Sequence, residues 1–250
     1  MYLKLKHGIR DVISFVLYLF IVWTKRRGAV VLVYHSVDRV DHSKDPYRLS
    51  ITPERFEDHL KIISKGGDDI IITFDDGYGN NFEHAFPLLK KYKCQATIFL
   101  ITDYIDGKLE SQKFCGENLD LRPLTWEEIR LMDCSGIRFG SHSRTHPALI
   151  ELSHDAVKEE LLNSKKRIEL ELGHAIDGLA YPFGSRSSFD LNVKEIAKET
   201  GYKYAYTNIM GINKGGSQDN YSLKRVRIYS EDGPFKLKMK MAGAYDWIDI

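Results

Sequence analysis

Three cysteines in 250 residues, Cys94, Cys115 and Cys134, form no Cys-x-x-Cys and cannot all pair. That argues against a disulfide framework and fits a reducing compartment. Excess charge is missing too. With 36 basic against 35 acidic side chains, the net charge of +1 gives no reason to expect a nucleic-acid partner. No segment repeats at solenoid spacing, and none is of low complexity. Nor is there an uninterrupted apolar run of the ~20 residues that a bilayer-spanning helix needs. What is left is an ordinary globular composition, 43% hydrophobic and 28% charged, on a length that suits one sizeable domain with a buried core.

The N-terminus stands apart. Val12 to Trp23 is twelve uncharged residues, nearly all large and apolar, with Lys4, Lys6 and Arg10 before it and Lys25, Arg26 and Arg27 after it. A cleaved secretory signal would end in small residues, yet Thr24-Lys25-Arg26-Arg27 follows. Apolar character all round a helix points to burial or lipid, and basic flanks favour anionic lipid at a cytoplasmic face. The expectation is a basic, hydrophobic helix over residues 1–27 in contact with a membrane surface, ahead of a domain over residues 28–250. A helix packed against that domain, and an uncleaved anchor with the domain facing outward, are the alternatives.

Along the domain, apolar and β-branched runs alternate with helical patterns. Strands are expected at Ala29–Tyr34, Asp69–Phe74, Gln95–Ile101, Ile137–Gly140, Asp177–Tyr181, Lys203–Thr207 and Leu223–Ile228. Helices are expected at Pro53–Lys65, Asn81–Tyr92, Trp126–Ser135, His154–Leu172 and Phe189–Thr200. Thr52 can cap a helix with Pro53 at its first position, Thr125 with Glu128 reads as a capping box, and Gly173 and Gly201 sit where helices should stop. Seven strands interleaved with helices predict an α/β fold, a barrel of parallel strands. Barrel enzymes gather their chemistry at the C-terminal ends of the strands. His35, Asp75 with Asp76, His142 with His146, and Tyr181 to Gly184 each follow a predicted strand, so all can converge on one mouth. His59, His84, His154 and His174 fall in or beside helices, where solvated or packing roles suit them better.

Two of these points carry chemistry. The run Ile70-Ile71-Ile72-Thr73-Phe74 ends in Asp75-Asp76-Gly77. Adjacent acids serve one site only if the strand stops and the chain turns, which Gly77 permits. In His142-Ser143-Arg144-Thr145-His146, two imidazoles four residues apart can be aimed at one ion. With one carboxylate they make an open coordination set for zinc or another divalent cation. A zinc-protease reading fails, because Ser143 stands where that class needs a glutamate.

Thr73-Phe74-Asp75-Asp76-Gly77 and the His142/His146 pair resemble the polysaccharide deacetylase family, the NodB-homology domains of carbohydrate esterase family 4. Weaker likeness runs from about Val30 to about Tyr229 and includes Tyr34-His35-Ser36-Val37, Thr52-Pro53-Glu54-Arg55-Phe56, Leu124-Thr125-Trp126-Glu127-Glu128 and Ala180-Tyr181-Pro182-Phe183-Gly184. The resemblance implies a distorted barrel of about seven strands and a divalent metal, zinc the expected one, held by Asp76, His142 and His146. It implies Asp75 as general base and the Phe183 N–H as a donor to the oxyanion. Two departures follow. Many relatives carry an arginine two residues before the proline of the Tyr-Pro-Phe-Gly turn, where it orients the base; here Ala180 stands there, and Arg225 is the first substitute, with Arg227 and Arg186 as others. Relatives also carry a Leu-x-His near the C-terminus that supplies the acid, and no histidine follows His174. A barrel is a closed ring, so a strand that comes last in one relative can come first in another. Val33-Tyr34-His35 has the form of the missing motif, and the exopolysaccharide deacetylase branch shows such a rearranged order. His35 is therefore the expected acid. The resulting expectation is a metal-dependent hydrolase removing N-acetyl groups from N-acetylhexosamine units of a glycan or lipid-linked precursor, its partners a carbohydrate substrate and a membrane surface. A carbohydrate-binding barrel without catalysis and a metal hydrolase of other esters or amides are the alternatives.

Overall fold

The computed structural model describes residues 2–24, 28–41, 43–66, 69–110, 121–215 and 219–249. Seven strands form a closed, all-parallel barrel: β1 (Val30–Tyr34), β4 (Ile70–Phe74), β5 (Ala96–Leu100), β6 (Arg138–Ser141), β7 (Gly178–Ala180), β8 (Tyr204–Met210) and β9 (Leu223–Arg227), in that order round the ring. Two short strands, β2 (Ser36–Val37) and β3 (Ser50–Ile51), pair beside it. β1 reads Val-Val-Leu-Val-Tyr and is buried throughout, as a parallel strand covered on both faces requires. The ring closes through Leu32 opposite Val226 and Val33 opposite Arg227.

Period-2 alternation sorts each strand's side chains into an inner and an outer set. Val31, Phe99, Ala180 and Tyr206 form a small cluster of their own, with Tyr204 and Leu223 packed on it. Continuing by twos from these residues leads to His35, Asn208 and Arg225, and the same step from Thr73 and Gly140 leads to Asp75 and His142. The outer set packs under the helices in one large cluster that includes Leu32, Ile72, Ile98, Phe139, Leu179 and Val226.

The helices start and stop on local chemistry. Thr52 accepts a hydrogen bond from the Arg55 N–H at the head of Pro53–Ile63. Thr125 and Glu128 form the full capping box at Trp126–Cys134. His154–Leu172 begins on Ser153 and ends on Gly173 with φ of 74°. Three expectations are corrected. The segment expected as one helix from Asn81 to Tyr92 opens as a π-helix, Asn81–Ala85, before the α-helix Phe86–Tyr92. Pro87 has no N–H to close the ordinary turn, and the Phe86 N–H bonds the Asn81 carbonyl instead. The helix expected from Phe189 begins at Leu191 because Asp190 caps it through the Val193 N–H. β8 runs three residues past Thr207, to Met210.

Among the described side chains of the N-terminal helix, Tyr2–Thr24, one face packs against the barrel domain. Ser14 and Ile21 are buried, Tyr245 donates to Asp11, Trp247 donates to Ser14, and the Phe15 and Tyr18 rings meet Phe235. Val12, Ile13, Val16, Leu19 and Phe20 are exposed on the other side. No helix among the described residues is long and apolar enough to cross a membrane. Cys94 and Cys134 are free thiols, and Cys115 lies outside the described residues, as does His42.

Candidate active site

Strand register aligns the ends that carry the chemistry. The Asp75 N–H donates to the Tyr34 carbonyl at 3.0 Å, and the His142 N–H donates to the Leu100 carbonyl at 2.8 Å. His35 and Asp75 therefore leave neighbouring staves, β1 and β4, and His142 leaves β6 on the far side of β5, all at the C-terminal mouth of the barrel. At Asp76 the chain turns with φ of 74°, followed by Gly77 at 82°. A Cβ on Gly77 would come 2.8 Å from Leu100, so the turn tolerates only glycine there. This turn brings the second carboxylate back to the site occupied by the first.

Asp75 is fully buried and held by a guanidinium, also fully buried, from β9 on the other side of β1. Arg225 donates to both Asp75 oxygens, at 2.7 and 2.6 Å, and its Nε donates to the Thr207 carbonyl at 2.8 Å. Such bidentate, charge-assisted pairing fixes the orientation of both partners. Burial alone would raise the Asp75 pKa, but Arg225 and His142 hold the carboxyl well below the usual carboxylate range. Arg225 thus stands against Asp75 where Ala180 offers no charge. Arg186, named beside it in the sequence, is exposed in the loop after β7.

Asp76, His142 and His146 each offer one ligand atom within 4.8 Å of the others. Asp76 Oδ1 lies 3.6 Å from His142 Nε2 and 3.9 Å from His146 Nε2. The Ala180 carbonyl accepts a hydrogen bond from His142 Nδ1 at 2.7 Å, which assigns the proton there and leaves the Nε2 lone pair facing Asp76. Burial lowers both imidazole pKa values, favouring the neutral, ligating form. Burial, then the charge of Asp75, pushes Asp76 up to about 7. A carboxylate so penalised beside two neutral imidazoles is a donor set that fits a divalent cation.

The loop presenting the histidines is held in an unusual conformation. Ser143 and His146 have φ of 63° and 60°, which L-residues adopt at a cost on the order of 1–2 kcal/mol each. Glu160, buried on the helix His154–Leu172, offsets this by accepting from the Arg144 and Thr145 N–H groups, Thr145 Oγ1 and Arg144 Nε. Ser143 Oγ accepts from the His146 N–H at 3.0 Å. Nothing in the sequence singles out Glu160, which lies mid-helix and reads as one more acid on a solvated face.

Phe183 is the fourth non-glycine residue of the site in the left-handed region, with φ of 60°. Its ring is half-exposed and lies 4.7 Å from the His146 ring, centroid to centroid. No acceptor among the described residues takes up its N–H. His35 follows β1 directly, and Asn81 donates to its carbonyl at 2.8 Å. Its Nδ1 is buried without a hydrogen-bond partner among the described residues. Burial, opposed by Asp75, lowers the His35 pKa to about 4. Of the helix-associated histidines, His59 is a packing residue, bonded to Tyr34 and the Asp232 carbonyl, and His84 bonds the Val37 carbonyl.

The sequence profile of the polysaccharide deacetylase family matches residues 63–205. The chain belongs to that family, and with it to the N-deacetylase class of hydrolases. It is 28% identical over 219 residues to YxkH of Bacillus subtilis, a candidate polysaccharide deacetylase, with 79% of this chain and 70% of that one aligned. It is 25% identical over 222 residues to the poly-beta-1,6-N-acetyl-D-glucosamine N-deacetylase of Staphylococcus aureus, with 73% of each chain aligned. A solved polysaccharide deacetylase from Bacillus cereus superposes with a TM-score of 0.71 at 28% identity, covering 86% of this chain and 69% of that one. Metal dependence is a property of this family, and Asp76, His142 and His146 are the residues that fit it here.

Proposed function

We propose that the protein hydrolyses the acetamide of N-acetylhexosamine units in a surface glycan or its lipid-linked precursor. The observation that carries this is the meeting at one mouth of an oriented carboxylate, three side chains that fit a cation, and an N–H with no acceptor among the described residues. Asp76, His142 and His146 would hold the cation, zinc on this donor set, and the cation would supply Lewis acidity toward the acetamide and a more acidic water. Asp75, its direction fixed by Arg225, would take the proton from the attacking water. Phe183 N–H would donate to the oxygen that gains charge as the carbonyl carbon becomes tetrahedral. His35, beside Asp75 and with an Nδ1 that has no hydrogen-bond partner among the described residues, would deliver a proton to the departing amine. The Staphylococcus aureus relative, named for poly-beta-1,6-N-acetyl-D-glucosamine, supports an N-acetylglucosamine polymer as the substrate class. Acetate release across N-acetylhexosamine oligomers, run beside an aryl ester and an aryl phosphate, tests the reading. Turnover confined to the ester or phosphate would overturn it.

We also propose that the barrel rests on the cytoplasmic face of a membrane through the outward side of its N-terminal helix. The exposed Val12, Val16, Leu19 and Phe20, between basic flanking sequences, support this. Deleting residues 1–24 should release the protein from membranes with turnover of a soluble glycan retained. Because the deletion also strips Asp11 and Ser14 from Tyr245 and Trp247, Val16→Glu with Leu19→Glu is the cleaner variant. It should lose co-sedimentation with anionic vesicles while keeping its Tm. Unchanged sedimentation would refute lipid contact, and a protease-accessible domain on intact cells would refute the cytoplasmic face.

A further inference from the structure

Asn208 lies on the inner face of β8, between the strand that carries Arg225 and the strand that leads into the Pro182-Phe183-Gly184 turn. Its side-chain amide touches both. Oδ1 accepts from Arg225 Nη2 at 2.8 Å, and Nδ2 donates to the Phe183 carbonyl at 3.0 Å. Its backbone N–H donates to the Gly184 carbonyl at 2.7 Å. A Cβ on Gly184 would sit 2.5 Å from the Asn208 nitrogen, so the turn is pressed directly against this residue. The amide orientation is settled by chemistry: a guanidinium only donates and a carbonyl only accepts.

We infer that Asn208 is a positioning residue, a strut that sets the distance between the base and the oxyanion donor. The inference rests on the deacetylase reading of the site, since it presumes that Asp75 and the Phe183 N–H act on one carbonyl group. Asp75 directs attack at the carbon and Phe183 receives the oxygen, so the two must keep a spacing fixed by a single C=O bond. They stand on different elements, and Phe183 is held in a left-handed conformation that it would relax if released. Only an uncharged side chain with an acceptor and a donor, at this length, satisfies Arg225 and the Phe183 carbonyl together. A misplacement of ~1 Å at such a site costs on the order of 100-fold in rate.

Asn208→Ala and Asn208→Asp in the full-length chain test the strut. Both should bind the divalent cation as the unaltered protein does and keep its Tm to within a few degrees. Asn208→Ala should lose about 10²-fold in kcat with KM within about twofold, the pattern of a lost transition-state contact. Asn208→Asp keeps an acceptor for Arg225 but sets a carboxylate against the Phe183 carbonyl, so it should fall equally far. A full rescue by aspartate would mean that the residue serves Arg225 alone and would overturn the strut. Acetate titrated into the metal-loaded proteins gives a readout that needs no turnover. Its affinity should drop several-fold in Asn208→Ala, because the Phe183 N–H no longer meets a carboxylate oxygen. Unchanged acetate affinity, or activity lost only in step with Tm or metal content, would overturn the inference. Unaltered protein that releases no acetate from any glycan would sink the deacetylase reading instead, with the acetate titration still deciding the strut.

Discussion

Asp76→Ala and His146→Ala are expected to be isolated without metal and without turnover, while Asp75→Asn keeps its metal and loses turnover. Each of the first two changes removes one of three ligands, and two remaining donors bind a divalent ion far more weakly. Asp76 has a second reason to need the ion. It is buried beside Asp75, and its pKa is pushed up to about 7, so without a cation the carboxylate is penalised at neutral pH. Chelation should therefore abolish hydrolysis in the unaltered protein, and about one equivalent of divalent ion should restore it. Asp75→Asn is different because Asp75 faces Arg225, with both oxygens engaged. An amide cannot accept the guanidinium bidentately, and it leaves a buried cation without its counter-charge, so Tm should fall as well. Metal analysis separates the two outcomes. An active Asp75→Asn protein would remove Asp75 from the role of base, and a metal-free, chelator-indifferent enzyme would remove the entire mechanism.

His35→Ala should fold and bind metal normally and lose roughly 10²–10⁴-fold in turnover of an N-acetylated glycan, the usual span for general acid–base catalysis. The amine leaves poorly unless protonated, and an imidazole is suited to that transfer. His35 comes off β1 beside Asp75, and its Nδ1 has no hydrogen-bond partner among the described residues. A buried polar atom without a partner is uncommon enough to need a reason, and a substrate group is one. Burial keeps the ring neutral at rest, its pKa lowered to about 4, so the proton it gives must first be received within the catalytic cycle. The loss should shrink on a substrate whose leaving group needs no protonation. Equal losses on both substrates, or none, would place the acid elsewhere.

The barrel and its mouth were legible in the sequence for a physical reason. Apolar runs alternate with helical patterns, and parallel barrels gather their chemistry at the C-terminal ends of the strands, so Asp75, His142 and His35, each just past a strand, fall at one mouth. Arg225 was legible because Ala180 leaves the base without a neighbouring cation. What escaped was carried by single side chains acting across space. Glu160 sits in the middle of a helix, and Asn208 lies in a strand that was expected to stop at Thr207. The helix Pro234–Met241 was also missed, although Gly233-Pro234 is a legitimate helix start. The π-turn at Asn81–Ala85 was readable in principle from Pro87.

Closure of the ring between its first and last strands imposes an order in time. Asp76, His142 and His146 all leave the ribosome well before Arg225, so the proposed cation ligands can gather on a chain whose barrel is still open. During that interval β1 presents an unpaired edge, and Asp75 has no counter-charge. Pairing between strands so distant in sequence is slow, because the whole intervening chain must be ordered first. In the proposed mechanism, hydrolysis would therefore begin only when β9 inserts. A chain interrupted between residues 146 and 225 would carry the three proposed cation ligands with no oriented base beside them, silent rather than indiscriminate.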